Sequence, residues 1–429
     1  MDQYDETSNG TTMTARRFAE ALRKRGHEVR VLTASKVREK GVYTLPEYRL
    51  PIFAPLVLKQ GMKIADIDES VMREAIKGSD VVHLLLPFRA ESAAADIARE
   101  MGIATTAAFH IQPENITYSI GLGHSKLLSS LIYRYFQHKL YNKIEYIHCP
   151  SEMIKSMLIS RGYKSNICAI SNGVSGAFAR KTVVRPSRYE GKFVILSVGR
   201  YSSEKRQDLI IKAIGKSKYN KNIQLVLAGK GPTEKKLKKL SDKYLYNPAE
   251  FVFLPEDGLV ELINSSDLYV HASDIESEAI SCIEAFSCGL VPVISDSRDS
   301  ATKQFAVSEL NLFHKGDAEE LKNRIEWFIE HPEEKRELSD KYVEFAAEFS
   351  LDASVDKLVG VFERASESNE RRKHNDALEN DYLAAAGTRD RISYGISKRK
   401  YLREKRRRGA PDFDNSFITT VGYGNTQPE

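Results

Sequence analysis

The chain has 429 residues, 41% of them hydrophobic and 29% charged, with a formal net charge of +5. This length favours two domains with separate cores, and the composition excludes a disordered chain. No run nears the roughly 18 apolar residues that a membrane-crossing helix needs. The charge is uneven: Lys398 to Arg408 holds eight Lys or Arg and one Glu, a local +7, which leaves the rest slightly acidic. Such a run reads either as a solvated tail or as a contact for an anionic membrane surface. Nucleic acid is not an expected partner, because no aromatic residues interleave a broad basic surface. Cys149, Cys168, Cys282 and Cys288 form no CxxC pair, so reduced thiols in a cytoplasmic protein are expected, peripheral at the inner membrane face if the basic run engages lipid.

In chain order, Ala15, Phe18, Ala19 and Leu22 fall at helical spacing between Thr12 and Arg25, with Gly26 as the stop. Apolar runs at Val29 to Thr33, Val81 to Leu86 and Ala104 to Phe109 alternate with helical patterns, which predicts a parallel sheet covered on both faces. The alternation breaks near Ser171-Asn172-Gly173-Val174. It restarts with Phe193 to Val198, Ile223 to Ala228, Phe251 to Leu254, Leu268 to Ala272 and Val291 to Ser295. The expected fold is therefore α/β with two Rossmann-like domains, 1–172 and 173–350, then a helix at 351–366 and a basic, flexible tail at 367–429.

Three stretches carry chemistry. Glu276 to Gly289 follows one predicted strand and opens a helix, whose unpaired N–H groups would face a diphosphate. Its two carboxylates, Glu276 and Glu284, are suited to gripping sugar hydroxyls. Ser197 to Arg206, with Gly199, Arg200 and Lys205, lies beyond the end of another strand, where open parallel sheets bind ligands. Gly229 and Gly231 form a glycine-rich turn after a third, letting a ligand approach the backbone. Singly, each has an ordinary explanation as a solvated helix face or a plain turn.

Together and in this order they resemble the retaining glycosyltransferases of family four (group 1), which have the GT-B fold of two Rossmann-like domains with parallel sheets facing each other across a cleft. The resemblance spans Gly10 to Ala365 and is strongest from Ile195 to Ile294. It implies that Glu276 contacts the donor sugar, Glu284 holds the ribose, and Arg200 and Lys205 clamp the diphosphate. It also makes Ser171 to Val174 the interdomain turn, Gly10 part of the first glycine loop, and His110 a neighbour of the donor sugar. Two features depart from the pattern. The strand that normally precedes the Gly10 loop is missing, and Ser277-Glu278-Ala279 stands where Gly-Phe-Gly is usual. Beside a diphosphate Glu278 would repel it, so it is expected to point away or to bind sugar.

The resemblance further implies a UDP-sugar donor, GDP-mannose being the other option, retention at the anomeric carbon, and neither cofactor nor metal. Lys126 to Lys143 contains Leu127, Leu128, Leu131, Ile132, Tyr135, Phe136 and Leu140 among basic residues. It reads either as a core-facing helix or as one that lies on an anionic membrane, the latter pointing to a lipid acceptor such as diacylglycerol or a lipid-linked glycan. A non-catalytic sugar-nucleotide-binding scaffold on the same fold is the alternative.

Overall fold

The structure is a computed structural model, and it describes residues 1–4, 10–37, 39–48, 64–119 and 125–407. In the first half, β1 (Val31–Thr33) and β2 (Val42–Thr44) pair in parallel. β3 (Val81–Leu84), β4 (Ala104–Ala108), β5 (Tyr146–Cys149) and β6 (Asn166–Ala169) form a parallel sheet in sequence order. The second half contributes β7 (Phe193–Val198), β8 (Ile223–Ala228), β9 (Glu250–Val252), β10 (Leu268–His271), β11 (Pro292–Ser295) and β12 (Leu312–Phe313). These six lie in the order β12-β11-β10-β7-β8-β9, all parallel. Every residue of β8 is buried, as a strand covered by helices on both faces requires. Each half has its own core: one is built around Ile147, Ala107 and Phe109, the other around Ile195, Val226 and Val270.

Met1 to Tyr4 runs along β1. The Met1 amine donates to the Leu32 carbonyl at 2.8 Å, and the Asp2 carbonyl accepts from Ala34 N at 3.0 Å. Ser8 and Asn9, at the start of the expected glycine loop, lie outside the described residues.

Two expectations need refining. The helix expected at 351–366 runs from Leu351 to Ala385, and a second helix follows from Thr388 to Arg407, so helix extends well past residue 366 into the stretch expected to be a basic, flexible tail. The long helix buries Val355, Leu358, Val361, Ala365 and Ser368, a 3–4 spacing that continues past residue 366 beneath a highly charged surface. It returns to the first half of the chain: Val355 and Leu358 pack on Phe18 and Ala21, Phe362 on the His83 ring, and Ser368 and Arg372 bind Glu145. The other expectation to refine concerns Lys126–Lys139, a helix that packs on the core along one face only. It buries Tyr133 and Phe136 yet leaves Leu127, Leu131 and Tyr135 at 74%, 52% and 53% exposure. Lys143 faces inward instead, paired with Asp96 at 2.7 Å.

The chain passes between halves twice, at Gly173-Val174 and at Phe349 to Leu351. These crossings are bonded to each other: Val174 N donates to the Phe349 carbonyl at 2.9 Å and Leu351 N to the Val174 carbonyl at 3.0 Å. Gly173 has φ +73°, and a Cβ there would lie 2.7 Å from Leu351 Cα, so both conformation and space demand glycine.

Candidate donor site

The loops that leave the carboxyl ends of β7, β8 and β10 converge. The first two bind each other: Gly199 N donates to Ala228 O at 2.9 Å, Tyr201 N to Lys230 O at 2.9 Å, and Thr233 N to Tyr201 O at 3.1 Å. A Cβ on Gly229 would lie 2.0 Å from the Gly199 carbonyl oxygen, and one on Gly231 2.3 Å from that of Tyr201. These two glycines therefore admit the neighbouring loop. Gly199, at φ +151°, lies beside the Lys205 stem, with Cε 3.8 Å from a Cβ built there, an ordinary contact.

Lys205 reaches Glu276, bonding Oε1 with Nζ, and His271 Nε2 meets the same oxygen at 3.0 Å. His271 ends β10, and its Nδ1 lies 3.3 Å from Tyr269 Oη, which bonds Ser281 Oγ at 3.0 Å. Burial by itself would push the Glu276 pKa up. Lys205 and His271 outweigh it and hold the carboxyl below the usual range, so Glu276 is a buried anion. The sequence paired Lys205 with Arg200 as a clamp; in the structure Lys205 sits on Glu276. Arg200 is exposed and forms no ion pair among the described residues.

From Glu276 the loop turns through Ala279, at φ +69° and ψ 69°, into the helix Ile280–Ser287. A non-glycine residue is strained in this left-handed region, which accounts physically for the glycine usual at that place. No side chain caps the helix; Cys282 N is taken by the Ala279 carbonyl at 2.9 Å, and the N–H groups before it belong to the open first turn, the kind of position that suits an anion. Glu284, in the second turn, is buried and 3.5 Å from Arg17, which also bonds Glu256 at 3.1 Å. Burial lifts the Glu284 pKa to about 7, with Arg17 pulling it down and Glu256 pushing it up.

Glu278 finds a partner that the sequence did not suggest. Asn172 N donates to both its oxygens, at 3.2 and 3.1 Å, and Asn172 Nδ2 donates to Oε2 at 2.6 Å. Ser151 Oγ donates to the Ser277 carbonyl at 2.7 Å.

In the first half, His110 follows β4, buried edge-on against His148 with ring centroids 5.3 Å apart, and His83 stacks on the other side of His148 at 6.1 Å. Burial, reinforced by the neighbouring histidines, holds His110 well below the usual histidine pKa, so its ring is neutral. Gly10 opens the helix Gly10–Lys24 and is exposed, with open space where a side chain would point. Sequence reasoning missed Arg17 and His271. His271 had one signal, a polar residue ending an otherwise apolar strand. Arg17 had none, since a basic residue on a surface helix is ordinary.

Two Rossmann-like units, with an uncapped helix start and two buried carboxylates at the strand ends of the second, define a class of nucleotide-sugar-binding transferases. Residues 8–177 match the family model Glycosyltransferase Family 4, and residues 180–346 match Glycosyl transferases group 1. Alpha-monoglucosyldiacylglycerol synthase of Streptococcus pneumoniae is 23% identical over 385 residues, covering 82% of this chain and 85% of that protein. A GDP-mannose-dependent alpha-mannosyltransferase of Corynebacterium glutamicum is 27% identical over 301 residues, 67% of this chain and 68% of its own. The structure of Anabaena HepE in complex with UDP-glucose superposes with a TM-score of 0.64 at 17% identity, over 86% of this chain and 98% of that one. The chain belongs to the group 1 glycosyltransferases of family-four type, with the GT-B fold, and is a hexosyltransferase.

Proposed function

We propose that the chain transfers a sugar, with retention, from a UDP-sugar to a membrane lipid such as diacylglycerol or to a lipid-linked glycan. The observation that carries the donor half is the pair of buried carboxylates flanking an uncapped helix start, Glu276 before it and Glu284 within it. Glu276, held ionised by Lys205 and His271, accepts bonds from the sugar hydroxyls, and Glu284 accepts those of the ribose. As the bond between the anomeric carbon and the diphosphate breaks, the departing charge meets the helix N–H groups and the free Arg200 cation. Neutral His110 lines the sugar from the other half. The reading carries no metal, and full turnover in excess chelator would agree with it.

The acceptor half rests on the face of Lys126–Lys139 that shows Leu127, Leu131 and Tyr135 to solvent beside Lys126, Arg134 and Lys139. That combination suits an anionic lipid surface, and the likeness to a glucosyldiacylglycerol synthase supports it. The basic helix Thr388–Arg407 adds a second cationic surface, and the protein is peripheral at the inner membrane face in this reading. A GDP-mannose donor is the second reading, favoured by the mannosyltransferase relative. Incubation with radiolabelled UDP- and GDP-sugars and mixed-lipid vesicles tests both. Label in the organic phase establishes a lipid acceptor and names the donor; donor binding without lipid label moves the acceptor to soluble glycans; no binding of any donor removes the reading.

A further inference from the structure

We propose that Glu278 is a positioning residue whose carboxylate, seated on the interdomain turn at Asn172, braces the donor loop of the second half onto the first half of the chain. The proposal rests on the donor-site reading above. Three N–H bonds from Asn172 converge on this one side chain, and a fourth bond, from Ser151 to the Ser277 carbonyl, ties the preceding residue to the cap of helix Glu152–Ser160. Glu278 is 2% exposed and forms no ion pair among the described residues; its polar partners are Ser171 and Asn172, both neutral. A buried carboxylate with no counter-cation is unfavourable compared with an apolar side chain of similar volume, so stability alone gives no reason for it.

What the carboxylate does achieve is geometric. Glu276 lies two residues before it and the helix start two residues after, so the sugar-binding carboxylate and the phosphate-facing N–H groups are both fixed relative to the half that carries His110. Uridine nucleotide held by the second half alone does not need that bond; a sugar aligned between halves does. Burial lifts the Glu278 pKa to about 7, with Ser171 and Asn172 pulling it back. Protonation puts a hydroxyl against the Asn172 N–H groups, so the brace loosens as the pH falls through about 7.

The test compares the full chain with Glu278→Gln, Glu278→Gly and Asn172→Ala, measuring kcat at saturating donor, UDP affinity by calorimetry, and hydrogen exchange at the Asn172 amide. The expected result is a fall in kcat of about tenfold or more, with UDP affinity changed by less than about twofold. Faster exchange at Asn172 should accompany it in the two Glu278 variants. Asn172→Ala, which keeps the backbone bonds, should show the same split in smaller measure. The wild-type kcat should decline between pH 8 and pH 6 and that decline should be absent in Glu278→Gln. Unchanged kcat and exchange would overturn the proposal, as would UDP affinity lost in parallel with kcat. If the wild type binds no nucleotide, the donor-site reading fails by itself, and exchange at Asn172 still decides whether the brace exists.

Discussion

Arg17 and Glu284 meet across the two halves of the chain, the guanidinium of the first helix 3.5 Å from the carboxylate of the helix Ile280–Ser287. Glu284 carries its charge only above about pH 7, since burial favours the neutral acid and Arg17 offsets that in part. Ribose hydroxyls donate to the ionised form. Affinity for an intact UDP-sugar, whose diphosphate has no ionisation of its own in this range, should therefore fall between pH 8 and pH 6. Arg17→Ala should move the midpoint upward, and Glu284→Gln should flatten the profile at weak binding. Calorimetry across that range checks all three, and a flat wild-type profile would remove Glu284 from the nucleotide site.

Lys205 is the only lysine paired with Glu276 among the described residues. Its removal leaves a buried anion with His271 alone. Lys205→Ala should cost about 3 kcal/mol of stability, because breaking a buried pair from one side strands the other charge. Turnover should drop about 100-fold. The lowered pKa of Glu276 means that the pair's stabilisation is present above the ordinary glutamate range and is lost as the pH falls through and below it. Urea melts at pH 7 and pH 3 should accordingly show the full difference between wild type and variant at the first and a reduced one at the second.

Gly231→Ala tests the pairing of the two loops. Its Cβ would overlap the Tyr201 backbone, with no flexible side chain to give way. A loss of at least about 2 kcal/mol is expected, with UDP affinity weakened because the Arg200 loop is displaced. Wild-type stability would mean that the loops separate freely.

Leu127→Ser combined with Leu131→Ser removes apolar side chains that are already exposed, so melting should shift by less than about 2 °C. Flotation with anionic vesicles should fall severalfold and activity on a lipid acceptor with it, while UDP affinity is retained. Unaltered flotation would move the membrane contact elsewhere, with Thr388–Arg407 the next surface to test.

Much of the architecture was legible because it depends on local pattern. Phe193–Val198 and Ile223–Ala228 are largely apolar runs, each with one polar residue, Ser197 or Gln224, and the strands occupy those same residues. The grouping of Gly199, Arg200, Lys205, Glu276 and Glu284 at one end of a sheet followed from the strand order. The pairings within that group were not legible, because they join positions far apart: Lys205 with Glu276 over 71 residues, Asn172 with Glu278 over 106. Gly229 and Gly231 were read for closeness to a ligand, and the structure adds a close neighbour of another kind, a second loop. Neither glycine carries any mark that tells the two apart. The helix Leu351–Ala385 was cut short because its buried positions are sparse beneath charge, and its partner surface lies on the first half of the chain.

The doubled crossing between the halves has a mechanical consequence. One strand of polypeptide joining two bodies leaves them free to swing, twist and tumble. Here Val174 and Ser350 run side by side as a bonded pair, with Gly173 pressed against Leu351, so the two connections act as adjacent pins of one door. Such a door turns about the line through its pins and resists torsion across it. A cleft opening about these pins would follow a single arc, and the long helix beyond Leu351, packed on the first half, belongs to the frame of that door.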